Sequence, residues 1–192
     1  MDLSVIAAIA KWPNVPAVFG WLSLTARGEW RLRGEPIRNA AICAFIGRNY
    51  AGDDRGRWFF QNGPQRVYVA LEVAPWIWRI GSDVARTEVC AHTGASVTRL
   101  GGAWVDDVGR LFLRTDLGFG LVDSADTARA FAALRALDGR LPDDSELESW
   151  LAGRGPLLCM RGDALGLQGE VELERLQADA ATEIFGYVLQ PA

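Results

Sequence analysis

The sequence predicts an α+β fold of two β-hairpin-rich units with a few packed helices, and three observations carry that prediction. Short runs of alternating polarity are punctuated by Gly- and Asp-containing turns, as hairpin strands require. Few segments show the three-and-four apolar spacing of a helix. An acidic turn feeding a strand occurs twice: Asp53 to Phe60 and Asp106 to Leu113 match at five of eight positions with an offset of 53 residues. The match reads either as an internal repeat or as convergent turn chemistry. With 192 residues, 49% hydrophobic and 23% charged, the chain has ordinary globular composition for one large domain or two small ones.

Taken in order, residues 1–11 suit a short helix, which Pro13 and Pro16 force into an extended, turning path. Phe19–Thr25 and Glu29–Arg33 read as a hairpin about Ala26-Arg27-Gly28. Arg38–Tyr50 is a helix, with Ile42, Phe45 and Ile46 on one stripe. Arg57–Gln61 and Arg66–Val73 form a hairpin around Asn62-Gly63-Pro64. In its second strand Val67, Val69, Leu71 and Val73 face a core, while Arg66, Tyr68, Ala70 and Glu72 face a wetter side. Pro75 starts a further strand through Ile80.

A hairpin about Thr93-Gly94 spans Glu88–Thr98, followed by strands at Ala103–Val105, Arg110–Arg114 and Phe119–Val122. Ser124 is placed to cap a second helix, with Ala128, Phe131, Ala132 and Leu137 on its buried stripe and Gly139 as its stop. Asp143 and Glu146 form a capping box for a short helix carrying Leu147, Trp150 and Leu151. Strand-like composition returns at Pro156–Cys159, Val171–Arg175 and Ile184–Leu189. The expected units are residues 12–82 and 83–192, with a junction near Gly81–Arg86.

Composition narrows the chemistry. Formal net charge is −4, with ten cations against six anions in residues 1–80 and ten against eighteen in residues 81–192. A pI near 5.1 argues against a nucleic-acid-binding domain, and charge complementarity between halves or subunits accounts for the asymmetry equally well. The longest apolar run, Val5–Ala10, is far short of the roughly 20 residues a membrane span needs. No cationic segment precedes it and no A-x-A-like site follows, so the expected location is the cytoplasm.

Lys11 is the only lysine, so a P-loop is excluded. Cys43, Cys90 and Cys159 are far apart and suit separate buried thiols rather than a disulfide framework or zinc knuckle. The single histidine, His92, falls at a hairpin tip, and no G-x-S-x-G occurs. Asp53-Asp54, Asp106-Asp107 and Asp143-Asp144 are the carboxylate pairs from which a hydrolase or lyase would have to be built, and each also suits a turn or cap. No catalytic residue, metal ligand or cofactor is assigned.

The candidate ligand-binding residues are Arg48, Asn49, Trp58, Asn62 and Arg66. They combine forked guanidinium donors, amides and a flat ring, which suits a small anionic or planar ligand. The same residues also read as a tight turn at Asn62-Gly63, core aromatics and surface charge. Trp76 and Trp78 share one strand face and suit core packing or an oligomer interface.

Trp12-Pro13-Asn14-Val15-Pro16-Ala17, Gly34-Glu35-Pro36-Ile37 and Gly56-Arg57-Trp58-Phe59-Phe60-Gln61-Asn62-Gly63-Pro64-Gln65-Arg66-Val67 resemble a family of uncharacterised proteobacterial proteins defined by a domain of unknown function. The pattern of hairpin, Pro-Ile, helix, hairpin and Ala74-Pro75 is also similar to a second unknown-function family. The resemblance implies two repeated α+β units with no established enzyme activity, and the second family carries a suggested signalling role. That family tends to read Thr-Pro-Val-Glu-Lys where this chain has Asn62 to Arg66. The expectation is therefore a non-enzymatic ligand-binding or regulatory module, with a homo-oligomeric or protein-partner interaction module as the alternative and a carboxylate-dependent hydrolase or lyase as the third.

Overall fold

Helix α1 (Leu3–Lys11) opens the computed structural model, which describes residues 1–83 and 86–192. Residues 84–85, within the expected junction, lie outside the described residues. The described residues form a mixed, strand-rich α+β protein with two sheets and a few helices. They divide into a first unit of Met1–Pro75, His92–Gly94 and Ala181–Ala192 and a second of Trp76–Ala91 and Ala95–Ala180.

In the first unit, β1 (Val18–Leu24) and β2 (Trp30–Leu32) form the expected hairpin. Arg33 and Gly34 both take positive φ, the requirement of a tight two-residue hairpin turn, and lead into β3 (Glu35–Pro36). Helix α2 (Ala40–Arg48) starts at Asn39, whose Oδ1 accepts hydrogen bonds from the Ala41 and Ile42 N–H groups. Then follow β4 (Tyr50–Gly52), β5 (Trp58–Asn62) and β6 (Gln65–Leu71). The sheet order is β3-β2-β1-β6-β5-β4, with β1 and β6 parallel and the other pairs antiparallel.

Val69 and Leu71 are fully buried as the alternation predicts. The opposite side of β6 is drier than expected: Tyr68 is buried, because Phe19 stacks on its ring at 4.5 Å and Phe59 meets it edge-on at 5.8 Å. The last residues also belong here. The expected strand at Ile184–Leu189 is instead helix α5 (Ala181–Phe185) and an extended end, with Val188 donating to the Gly56 carbonyl and Leu71 donating to that of Leu189.

The second unit holds β7 (Trp76–Asp83), β8 (Arg86–Ala91), β9 (Leu100–Asp106), β10 (Leu111–Thr115), β11 (Gly118–Val122), α3 (Thr127–Phe131), β12 (Leu134–Ala136), α4 (Asp144–Leu151), β13 (Leu158–Arg161) and β14 (Glu170–Leu176). Its order is β12-β13-β14-β9-β10-β11-β7-β8, with β14–β9 and β11–β7 parallel. Trp78, Leu111, Phe112, Leu113, Leu158 and Met160 are almost wholly buried in its core.

Three expectations change here. β8 pairs with β7, and the hairpin expected about Thr93-Gly94 is reduced to a short turn, closed by the antiparallel bridge of Cys90 with Ser96 and by the Ala91 N–H donating to the Ala95 carbonyl. The helix expected to run to Gly139 ends at Phe131, and Ser124 does not cap it; Asp126 stands at its N-cap position. Residues 134–136 form a strand because Leu134 and Ala136 pair with Met160 and Leu158 of β13 and are buried, whereas Leu137 is 72% exposed. The alanine-rich sequence had concealed a short period-two segment. The capping box at Asp143 and Glu146 is present as expected.

The two matched acidic segments adopt the same turn, joining β4 to β5 and β9 to β10. The first Asp donates its N–H to the Arg four residues on, its Oδ1 accepts from backbone N–H groups two and four residues on, and its Oδ2 takes the Arg Nε–H. Gly56 and Gly109 supply the left-handed position. This chemistry accounts for the shared Asp, Gly and Arg.

Candidate apolar groove

A groove of about 440 Å³ opens on the α2 side of the first sheet. Strand register places Leu22 opposite Leu32 and Phe60 opposite Val67, so these four side chains form its floor. The α2 residues Ile42, Phe45 and Ile46 wall it, and the Phe45 ring meets Phe60 edge-on at 5.4 Å. Between Val18 and Leu22 the β1–β6 register shifts, with Gly20 at positive φ, and Trp21 reaches the rim. The Arg33 guanidinium lies 3.9 Å over the Trp21 ring. Trp21, Leu32 and Ile42 remain about half exposed, whereas Leu22 and Ile46 are buried. Asn62 and Gln65 add amides to an otherwise apolar lining.

Of the five sequence-predicted residues, Asn62 lines this groove. Arg48 and Asn49 end α2, and both hold Asp2: Arg48 Nε is 3.2 Å from its carboxylate and Asn49 Oδ1 accepts its backbone N–H at 2.8 Å. Asn49 is buried and also donates to the Phe45 carbonyl, so it caps the helix end. Trp58 packs on Tyr50, centroids 4.8 Å apart. Arg66 lies over Phe59 at 4.5 Å; its strand partner Gln61 alternates with Phe60 and Asn62, so Arg66 stands on the face opposite the groove. Sequence reasoning missed Trp21, Leu32 and Val18 as groove residues. Their signal was the apolar surplus of β1 and β2, whose direction depends on a register shift.

The carboxylate pairs stand on three separate turns or caps. Asp53 and Asp106 are engaged by Arg57 and Arg110, and Asp143 accepts the Glu146 N–H. His92 packs against Trp30 and Tyr50, centroids 5.1 and 5.9 Å away. The three cysteines are free and half-buried rather than buried. Among the described residues, no three His, Cys, Asp or Glu side chains group to hold a metal ion.

Asp53 makes a pH prediction. Burial alone pushes its carboxyl up, but hydrogen bonds from the Arg57 side chain and backbone, the Tyr68 hydroxyl and the Arg55 N–H bring it to about 2. A carboxyl lowered on folding stabilises fully above its unfolded value near 3.8, and that stabilisation is lost as pH falls through 2. Asp53→Asn should therefore lose about 2 kcal/mol at pH 7, with the gap to the parent narrowing between pH 4 and 2 in urea titrations. A constant gap across that range contradicts the assignment.

Two sheets of hairpins, their helices and an apolar groove define a strand-rich α+β protein. This chain belongs to the family DUF2944, described as "Protein of unknown function (DUF2946)", which matches residues 1–192. No curated protein matches it. The chain is similar to a DUF1285 family protein from Silicibacter pomeroyi DSS-3, with 16% identity, a TM-score of 0.48, and 73% of this chain and 89% of that chain covered. It is also similar to a DUF1285 family protein from Shewanella baltica OS155, with 17% identity, a TM-score of 0.44, and 56% and 87% covered. No helix among the described residues is long and apolar enough to cross a membrane.

Proposed function

We propose that this protein is a non-enzymatic binding module of the cytoplasm, serving regulation or signalling, whose ligand enters the groove beside α2. The observation that carries this reading is the groove itself: about 440 Å³, apolar throughout except for Asn62 and Gln65, with Trp21, Leu32 and Ile42 left half exposed. Sites for small molecules are concave, mainly apolar and furnished with a few orienting polar groups. The amide of Asn62 orients the ligand and the Trp21 ring, backed by Arg33, offers it a flat wall. Arg48, Asn49, Trp58 and Arg66 support the surrounding unit. The engaged carboxylates favour binding over a hydrolase or lyase.

A thermal-shift screen of metabolites and amphiphiles tests this, since a ligand present at a hundredfold its Kd stabilises by about 2.7 kcal/mol. A shift that disappears in Ile42→Glu is the expected result; Ile42 is half exposed, so the variant should keep the parent's melting temperature without ligand. No shift from any compound, or shifts unaltered by Ile42→Glu, overturns the reading. A second reading, self-association, draws on Leu3 at 84%, Trp12 at 51% and Trp21 at 47% exposure, and sedimentation at several concentrations decides it.

The proposed units, 12–82 and 83–192, also suit an internal repeat. Supporting it, β1–β6 with α2 and β9–β14 with α3 share the order three strands, helix, three strands, and the first and last strands of each series are parallel neighbours.

A further inference from the structure

The second unit contains a chamber of about 240 Å³ beneath α4, distinct from the groove of the first unit. Val105 of β9, Phe131 of α3, Leu134 of β12, Leu173 of β14 and Leu147 and Trp150 of α4 form its walls. No polar side chain is among its lining residues. An apolar cavity of about 150 Å³ is enough to take up benzene, so this chamber has room for a chain of about eight carbons on the same scale. Leu141 and Leu151 edge it and are 58% and 57% exposed, which leaves a route from solvent.

A polar cleft borders the chamber: Val105 and Leu151 line both, and Arg175 lines the cleft. Arg175 donates from Nη1 to the Trp150 carbonyl at 3.0 Å, and its guanidinium carbon lies 5.9 Å from the centre of the Trp150 ring. That bond fixes the guanidinium at the end of α4 and leaves Nε and Nη2 as donors for an oxyanion. The cleft's own carboxylates are engaged elsewhere: Asp106 takes the Arg110 Nε–H at 2.6 Å, and Asp107 accepts the Ala178 N–H at 2.9 Å. Glu172 and Glu174 line a neighbouring hollow that Arg175 also borders, and neither lines this cleft.

We propose that this chamber and Arg175 together bind a medium-chain aliphatic carboxylate, its chain between α4 and the sheet and its carboxylate on the Arg175 fork. The apolar part supplies affinity by leaving water, and the charge-assisted bonds select an acid over an alcohol of equal length.

Octanoate and 1-octanol are the probes, titrated by calorimetry into the full chain carrying Ile42→Glu, which removes the groove as a competing apolar site. The expected result is one octanoate site that Arg175→Gln weakens tenfold or more, with octanol affinity unaltered and Arg175→Lys in between. Leu141→Glu, a substitution at the exposed mouth, should weaken both probes. Circular dichroism of each variant separates lost binding from lost folding, and the acid-to-alcohol affinity ratio within any folded variant reports the role of Arg175. No octanoate binding to the Ile42→Glu protein, or an acid-to-alcohol ratio that Arg175→Gln leaves unchanged, overturns the proposal.

Discussion

Replacing Trp78 by Ala should cost about 4–5 kcal/mol in urea denaturation, the upper part of the range for truncating a buried aromatic. The side chain has no solvent exposure, and its indole Nε1 donates to the Leu113 carbonyl at 3.0 Å. It also stacks on Trp76, with centroids 6.0 Å apart and planes 14° from parallel. Ala would leave a large cavity and an acceptor short of its indole donor. Gly120 shows how closely the site is filled: a Cβ there would stand 2.5 Å from the Trp76 carbonyl oxygen and 2.7 Å from the Trp78 nitrogen. Trp78→Phe keeps much of the apolar volume and loses the hydrogen bond, so its cost should fall between parent and Ala. A loss under about 1.5 kcal/mol for Trp78→Ala would mean that the second unit's core does not depend on this ring.

The second large effect is a contrast between two glycines in the same kind of turn. Gly56 and Gly109 both occupy the left-handed position, with φ of 74° and 84°. Alanine at either site costs about 1–2 kcal/mol in backbone strain. At Gly109 the added methyl meets nothing within 4 Å, so strain is the whole penalty. At Gly56 the methyl would come 2.2 Å from the Gly186 carbonyl oxygen, and backbone has to move. Gly56→Ala should therefore cost at least twice as much as Gly109→Ala, and hydrogen exchange should show the bond from Val188 N–H to the Gly56 carbonyl opening. Equal losses at the two sites would show that residues 186–188 are not held by this approach.

Local chemistry made much of the first unit readable. The Ile42, Phe45 and Ile46 stripe gives α2, Asn62-Gly63-Pro64 gives the turn between β5 and β6, and the valines of β6 give its buried face. The capping box of α4 was equally legible. The Ala-rich stretch after Asp126 was not, because helix and strand compete closely there and pairing with β13 decides for the strand. Of the candidate site, Asn62 was visible as a polar residue in a turn. Trp21 and Leu32 become groove residues only because the β1–β6 register shifts after Val18 and α2 lies across the resulting face.

The sequence by itself determined the strand-rich α+β character, most turns, the capping box of α4 and the structural duties open to each Asp pair. These follow from interactions within a few residues, which any folded arrangement of the chain would retain. Tertiary structure decided that residues 181–192 join the first unit, that Tyr68 is buried by Phe19, and that apolar side chains from four strands and a helix leave a groove unfilled. The groove and the burial of Tyr68 depend on the parallel pairing of β1 with β6, and the place of residues 181–192 on backbone bonds of Leu71 to Leu189 and Val188 to Gly56; no local preference encodes partners at such distances.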